Sequence, residues 1–110
     1  MGLFDFFGNS SAKEDVVRAM ERVMEMVRQY RENNDINVLY EAARVCRQEI
    51  LVPVKRYNLR PTDAISITIE GQRVNTAFHD GITHSLGQIL FISYDLPPAQ
   101  KNKIDSILGM

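Results

Sequence analysis

Residues 14–32, EDVVRAMERVMEMVRQYRE, constrain the fold more than any other stretch. Val16, Met20, Val23, Met24, Val27 and Tyr30 recur at spacings of three and four, the period of one helical face. Arg18, Glu21, Arg22, Glu25, Arg28 and Arg31 supply the other side. A helix of this kind near a chain end either packs on a core or is held out for a partner. Ser11 stands three residues before Glu14 and beside Ala12, the spacing of a capping box, which predicts a helix start at about Ala12.

A chain of 110 residues is most simply one domain with tails. Its apolar fraction of 45% and charged fraction of 25% are those of a globular chain rather than a disordered one. With a net charge of −1 and no basic patch, the sequence predicts no nucleic-acid partner. Cys46 is the single cysteine, so no intrachain disulfide forms, and its place in an apolar helical pattern predicts a buried, inert thiol. No apolar run approaches the roughly 20 residues of a membrane-spanning helix, and the opening lacks the regions of a signal peptide. A cytoplasmic protein is expected.

The opening MGLFDFF is dense in aromatics. On a helical wheel Leu3, Phe4, Phe6 and Phe7 share one side and Asp5 points the other way. Two readings stay open: a small plug docked on the domain, or a short helix lying reversibly in a membrane interface. GNSS follows as a flexible break.

A polar loop at residues 32–35 closes the first helix. From Asn37 a second helical pattern runs through Leu39, Ala42, Ala43, Cys46, Ile50 and Leu51. Pro53 lacks an N–H and its ring clashes with the carbonyl of Glu49, which predicts a kink or stop, with a turn resuming over residues 54–57. Residues 60–63 read as a turn. Residues 64–70 alternate, with Ile65, Ile67 and Ile69 on one face, and predict a half-buried strand. Residues 87–96 predict a second strand that is apolar on both faces, with Ile89 and Phe91 on one and Leu90, Ile92 and Tyr94 on the other. Such a strand needs cover on both sides, which a second subunit would supply. Between them, Asp80-Gly81 marks the expected tip of a long hairpin over residues 72–86. His79, Asp80 and His84 match no standard zinc spacing, and exposed loop histidines are expected there. No cofactor, metal site or catalytic constellation is predicted. After Pro97-Pro98, Ile104, Ile107 and Leu108 predict a short C-terminal helix.

Taken together, MGLFDFF, ERVMEMVRQYRE, VCRQEILVPVKRYNLRPTDAISITIE and QILFISYDLP resemble, in order and spacing, the MinE cell-division topological specificity factors. The resemblance touches most of residues 1–98. It implies an α+β fold: a small homodimer with an antiparallel sheet shared across subunits and helices packed on one face. It divides the chain into a membrane-targeting segment (1–8), a partner-binding helix or switch segment (9–35), a dimerisation and specificity domain (36–98) and a C-terminal helix or tail (99–110). It also implies a non-enzymatic partner of a membrane-bound MinD-type ATPase, whose hydrolysis it stimulates while displacing the division inhibitor MinC. The protein would then be peripheral on the inner face of the cell membrane, with Leu3, Phe4, Phe6 and Phe7 as lipid contacts.

By position the resemblance carries the ATPase contact onto Arg22, Val23 and Met26, with Ala19, Met20 and Val27 beside them. Ile50, Leu51, Ile67, Ile89, Phe91 and Ile92 become core or dimer-interface residues. In that family the contact segment rests as a strand docked in the sheet and becomes a helix on meeting MinD. Here only the helical stripe is uninterrupted, because Arg28 breaks the strand pattern of Met24, Met26 and Tyr30. The chain departs from the family in lacking a basic cluster after MGLFDFF, in Pro53, and in the length of residues 72–86. An adaptor homodimer, or a regulator of a different MinD- or ParA-like ATPase, is the alternative.

Overall fold

The long first helix is the axle of the molecule. The structure, a computed structural model, describes the backbone of residues 3–110 and the side chains of residues 11–110. Helix α1 runs unbroken over Leu3–Asn33, so neither the break at GNSS nor the cap at Ser11 is present. Extending a packed helix backwards adds one hydrogen bond per residue, whereas only nucleation is costly. The predicted stripe is buried as drawn: Val16, Met20, Val23 and Val27 are inaccessible to solvent, and Met24 and Tyr30 are half-buried against them. Each such side chain contributes roughly 1.5–3 kcal/mol.

Asn34, at φ 56°, ends α1 in the left-handed region, where asparagine is tolerated. Asp35 then caps helix α2 (Ile36–Val45) by accepting the Asn37 N–H at 3.0 Å. The chain turns back and packs α2 along α1, burying Leu39, Ala42, Ala43 and Cys46. At Pro53 the helix does not stop. It widens instead into a π turn over Cys46–Leu51 and continues as α3 (Val52–Arg56). The Val52 N–H donates to the Arg47 carbonyl, five residues back. The extra residue in that turn relieves the clash between the proline ring and the carbonyl four residues before it.

Strand β1 (Ala64–Ile69) has the expected face, with Ile65 and Ile67 buried and Ile69 half-buried. Its partner comes sooner than predicted. Glu70 (φ 50°) and Gly71 (φ 81°) form a two-residue turn with both residues at positive φ, the geometry that matches strand twist. Strand β2 (Gln72–Ala77) returns antiparallel, pairing Ile67 with Val74 and Ile69 with Gln72. The sheet has two strands.

Residues 87–96 are not a strand. They complete helix α4 (Phe78–Tyr94). Its inner face is Phe78, Gly81, Ser85, Ile89 and Ser93, spaced by three and four. Gly81 is no hairpin tip but a close contact: a Cβ there would lie 2.9 Å from Met20 Sδ and 3.0 Å from Ile65 Cδ1. The first N–H groups of α4 donate backwards, Phe78 to the Asp63 carbonyl at 2.8 Å and His79 to the Pro61 carbonyl at 2.9 Å. The turn at residues 60–63 thus does the work of a side-chain cap.

Helix α5 (Pro98–Leu108) closes the chain as predicted, burying Ile104 and Leu108. It ends at Gly109, at φ 77°, where Arg47 lies against the backbone and reaches the Leu108 carbonyl at 3.4 Å. The result is a compact α+β fold in which one antiparallel hairpin packs on α1 and α4. Among the described residues no helix is long and apolar enough to cross a membrane.

Candidate interaction surfaces

The residues expected to meet a partner on α1 separate into two groups. Ala19, Met20, Val23 and Val27 lie in the core, at most 1% exposed. Arg22 and Met26, one turn apart, lie at its edge: Met26 is half-buried and the Arg22 side chain is half-exposed. The structure therefore does not bring the six together as one accessible face. Leu3, Phe4, Phe6 and Phe7, the expected lipid contacts, lie outside the residues whose side chains are described.

Arg22 opens onto a groove of about 550 Å³ between α1 and the segment formed by the π turn and α3. Arg18, Gln48, Glu49, Arg56 and Tyr57 line its walls, with Pro53 in the apolar part. Arg22 Nη1 donates to Glu49 Oε1 at 2.8 Å across the groove. Both side chains are about half-exposed, so this pair is weak and readily exchanged for another anion. Arg18 is held on its own helix by Asp15 at 3.0 Å and Glu14 at 3.7 Å. Arg28 sits between Glu25 and Glu32 on the solvent face of α1. Its hydrogen bond and charge hold the Glu25 carboxyl below its ordinary range.

A second polar contact fastens the hairpin to α1. Glu21 accepts the Thr68 backbone N–H at 2.7 Å and lies 3.5 Å from Arg73 Nη1, which also donates to Thr68 Oγ1 at 3.1 Å. The two-residue turn makes Ile69 and Gln72 the hydrogen-bonded closing pair, so Thr68 directs its N–H away from β2. Glu21 thereby covers one of the outward N–H groups of β1. Nothing in the sequence marks Glu21 among the other charged residues of its face, and the register of β1 alone reveals it.

His79, Asp80 and His84 are exposed, as expected, but on α4 rather than in a loop. His84 Nε2 lies 2.8 Å from the Gln88 amide nitrogen. Among the described residues no group of three His, Cys, Asp or Glu side chains is placed to hold a metal ion. Cys46 is fully buried, and burial pushes its thiol up to about 11, so it is a poor nucleophile at neutral pH.

Of the expected core and interface residues, Ile50, Ile67 and Ile89 are fully buried within this one chain. Leu51 and Ile92 are half-buried. Phe91 is the exception, 75% exposed, and Tyr94 beside it is 76% exposed. The strand reading placed Phe91 on the same face as Ile89; the helix separates them to opposite sides. The sheet shared through residues 87–96 is accordingly absent.

Comparison with known proteins finds no matching family, no similar curated protein and no similar solved structure.

Proposed function

We propose that this chain is a non-enzymatic interaction protein and, more narrowly, a MinE-like regulator whose first helix engages a membrane-associated MinD-type ATPase. Engagement would stimulate ATP hydrolysis and displace the MinC inhibitor, so that division is placed at midcell. The observation that carries this reading is the position of Arg22. It stands at the edge of α1, beside an open groove, with one half-exposed carboxylate as its partner.

An incoming acidic or phosphate-bearing surface can take the guanidinium from Glu49 at little cost, forming charge-assisted bonds. Met26, one turn on, adds an apolar contact at the same edge. Freeing Met20, Val23 and Val27 as well would expose three fully buried side chains at roughly 1.5–3 kcal/mol each. A partner would have to supply that difference through its preference for the opened form. The edge formed by Arg22 and Met26 is therefore the favoured first contact.

The test is hydrolysis by a MinD-type ATPase from the same genome on liposomes. Arg22→Ala should abolish stimulation while leaving the fold intact, and Glu49→Ala should preserve or raise it by freeing Arg22. Equal stimulation by the parent and Arg22→Ala would remove the assignment.

A second reading, an adaptor homodimer with no ATPase partner, is favoured by a different observation. The outer side of α4 carries two aromatic rings in solvent, which a chain working alone gains nothing by exposing.

A further inference from the structure

We propose that the groove between α1 and α3 is a docking site for an acidic peptide segment of a partner protein, one carboxylate displacing Glu49 from Arg22 while a second meets Arg56. The Arg22 contact rests on the function proposed above; Arg56 and the chemistry of the ligand go beyond it.

The groove favours ligands of one sign. Three arginines line it, Arg18 and Arg22 from α1 and Arg56 from α3. Their present partners are unequal. Arg18 is neutralised on its own helix by Asp15 and Glu14, and Arg22 is met across the groove by Glu49. Arg56 is exposed, and among the described residues no carboxylate forms an ion pair with it. Its wall continues into a smaller hollow of about 260 Å³, where Arg47 and Lys55 join Arg56 and no acidic residue takes part. No run of basic residues produces this field. It is assembled where α1 packs against the π turn and α3.

Glu49 shows the chemistry that the groove accepts. Its side chain reaches from one wall to the other and accepts from Arg22 Nη1 at 2.8 Å. With Arg22 52% and Glu49 46% exposed, water already competes for both groups, so exchange for another carboxylate costs little. The free protein therefore holds an internal copy of its ligand's charged group. An incoming segment gains what Glu49 alone does not: a carboxylate on Arg56, and an apolar side chain against the groove floor.

That floor favours a peptide over a phosphate. It is formed by Ala12, Val16 and Ala19, all buried, with Pro53 beside them, and a lone phosphate would leave it wet. Tyr57, 41% exposed, adds a ring at the rim. Arginine and tyrosine are the side chains that most often dominate the energy of protein interfaces. A phosphate cradle instead uses unpaired backbone N–H groups at a helix start or in a glycine-rich loop. Here the walls are the sides of helices, and no glycine lines them. Guanidinium groups on opposite walls suit two separated carboxylates better than one compact anion.

The test is nuclear magnetic resonance of the arginine Nε–H groups of the full chain, titrated with a short peptide of glutamate and leucine. Two exposed ion contacts and one apolar anchor give weak capture, with a dissociation constant of about 0.1–1 mM, which chemical shifts resolve. The Arg22 and Arg56 signals should move together and saturate with the acidic peptide, and stay in place with its glutamine counterpart. Arg56→Gln should weaken binding at least about fivefold, the loss that marks a contributing interface residue, with an unchanged amide spectrum. Glu49→Gln removes the internal competitor while keeping its shape, and should strengthen binding about two- to fivefold. These opposite effects keep the test decisive even if one variant disturbs the fold.

Equal shifts with the glutamine counterpart would overturn the proposal. So would Arg56→Gln binding like the parent, or Glu49→Gln binding no better than it. Shifts of both signals with inorganic phosphate or with phosphatidylglycerol vesicles, but not with the acidic peptide, would overturn it by giving the groove to a phosphate group, free or on a lipid. The two readings fail separately. Capture of the peptide without stimulation of a MinD-type ATPase removes the ATPase and keeps the groove. Stimulation that needs Arg22 but survives Arg56→Gln, with no peptide bound, does the reverse.

Discussion

Removing the Glu21 carboxylate should loosen the hairpin from α1 by an amount the structure allows to be worked out. Glu21 accepts the Thr68 N–H at 2.7 Å and lies 3.5 Å from Arg73, with 29% of its own side chain exposed. A hydrogen bond to a charged group contributes about 1.5–3 kcal/mol. The Arg73 ion pair, 65% exposed on the arginine side, adds at most about 1 kcal/mol. Glu21→Ala loses both and leaves a part-buried N–H without its acceptor, so a loss of about 2–3 kcal/mol is expected. Glu21→Gln keeps an acceptor for Thr68 and loses the charge, so about 1 kcal/mol or less is expected. For a chain of this size about 1 kcal/mol moves the melting temperature by roughly 4 °C, which puts the alanine variant roughly 8–12 °C below the parent. Urea unfolding followed by circular dichroism measures the free energies, and amide exchange at Thr68 reports the bond itself. Thr68 should exchange faster in Glu21→Ala than in Glu21→Gln. An alanine variant within about 0.5 kcal/mol of the parent, the range of ordinary surface substitutions, would show that the carboxylate does not hold the hairpin. A glutamine variant as unstable as the alanine one would show that charge, not the hydrogen bond, carries the effect.

Two further consequences concern buried groups. Burial raises the Cys46 thiol from 9.0 to about 11, so between those values the unfolded chain has lost a proton that the folded chain keeps. Stability therefore falls as pH rises through that window, by about 2–3 kcal/mol at 1.36 kcal/mol per unit. Cys46→Ala should be the less stable protein at neutral pH, because it leaves a cavity. Its deficit should shrink by that amount when both proteins are unfolded in urea at pH 8 and pH 11, and a deficit constant with pH would refute the assignment. Ser93 Oγ is buried with no hydrogen-bond partner among the described residues. Ser93→Ala should therefore stabilise the fold by about 0.5–1 kcal/mol, and destabilisation by more than about 1 kcal/mol would indicate a partner for that hydroxyl.

The elements that were legible in the sequence are those whose signals were local. The stripe of α1 needs only its own period, Asp35 caps α2 through its neighbour Asn37, and the alternation of Ile65, Ile67 and Ile69 faces the core without help from distant residues. Pro53 perturbs the helix as its chemistry requires, and the turn expected over residues 54–57 is α3; what the sequence does not announce is that the helix absorbs one residue as a π turn instead of stopping. Among the expected contacts on α1, periodicity found most of the buried members. It set Arg22 on the charged side and Val23 and Val27 in the stripe, but it placed neither Ala19, in the core, nor Met26, at the rim. That division depends on where α2 and the π turn lie against α1.

Helix α4 was hidden for a reason that also bears on what the protein does. An apolar run such as QILFISY fits a strand buried on both faces and a helix equally well, and length or flanking caps must arbitrate. Here the helix starts at Phe78, well before the run, and its cap consists of the Pro61 and Asp63 carbonyls, which no residue type announces. The Asp80-Gly81 pair then reads as a turn, although Gly81 is present because Met20 and Ile65 come too close for a side chain. The strand reading asked for a second subunit to cover an apolar face built from residues 89–94. The helix resolves half of that demand by turning Ile89 and Ser93 inwards, and leaves the other half in place as Phe91 and Tyr94. A strand there would present backbone hydrogen-bonding groups to a neighbour, whereas the outer side of α4 presents only side chains.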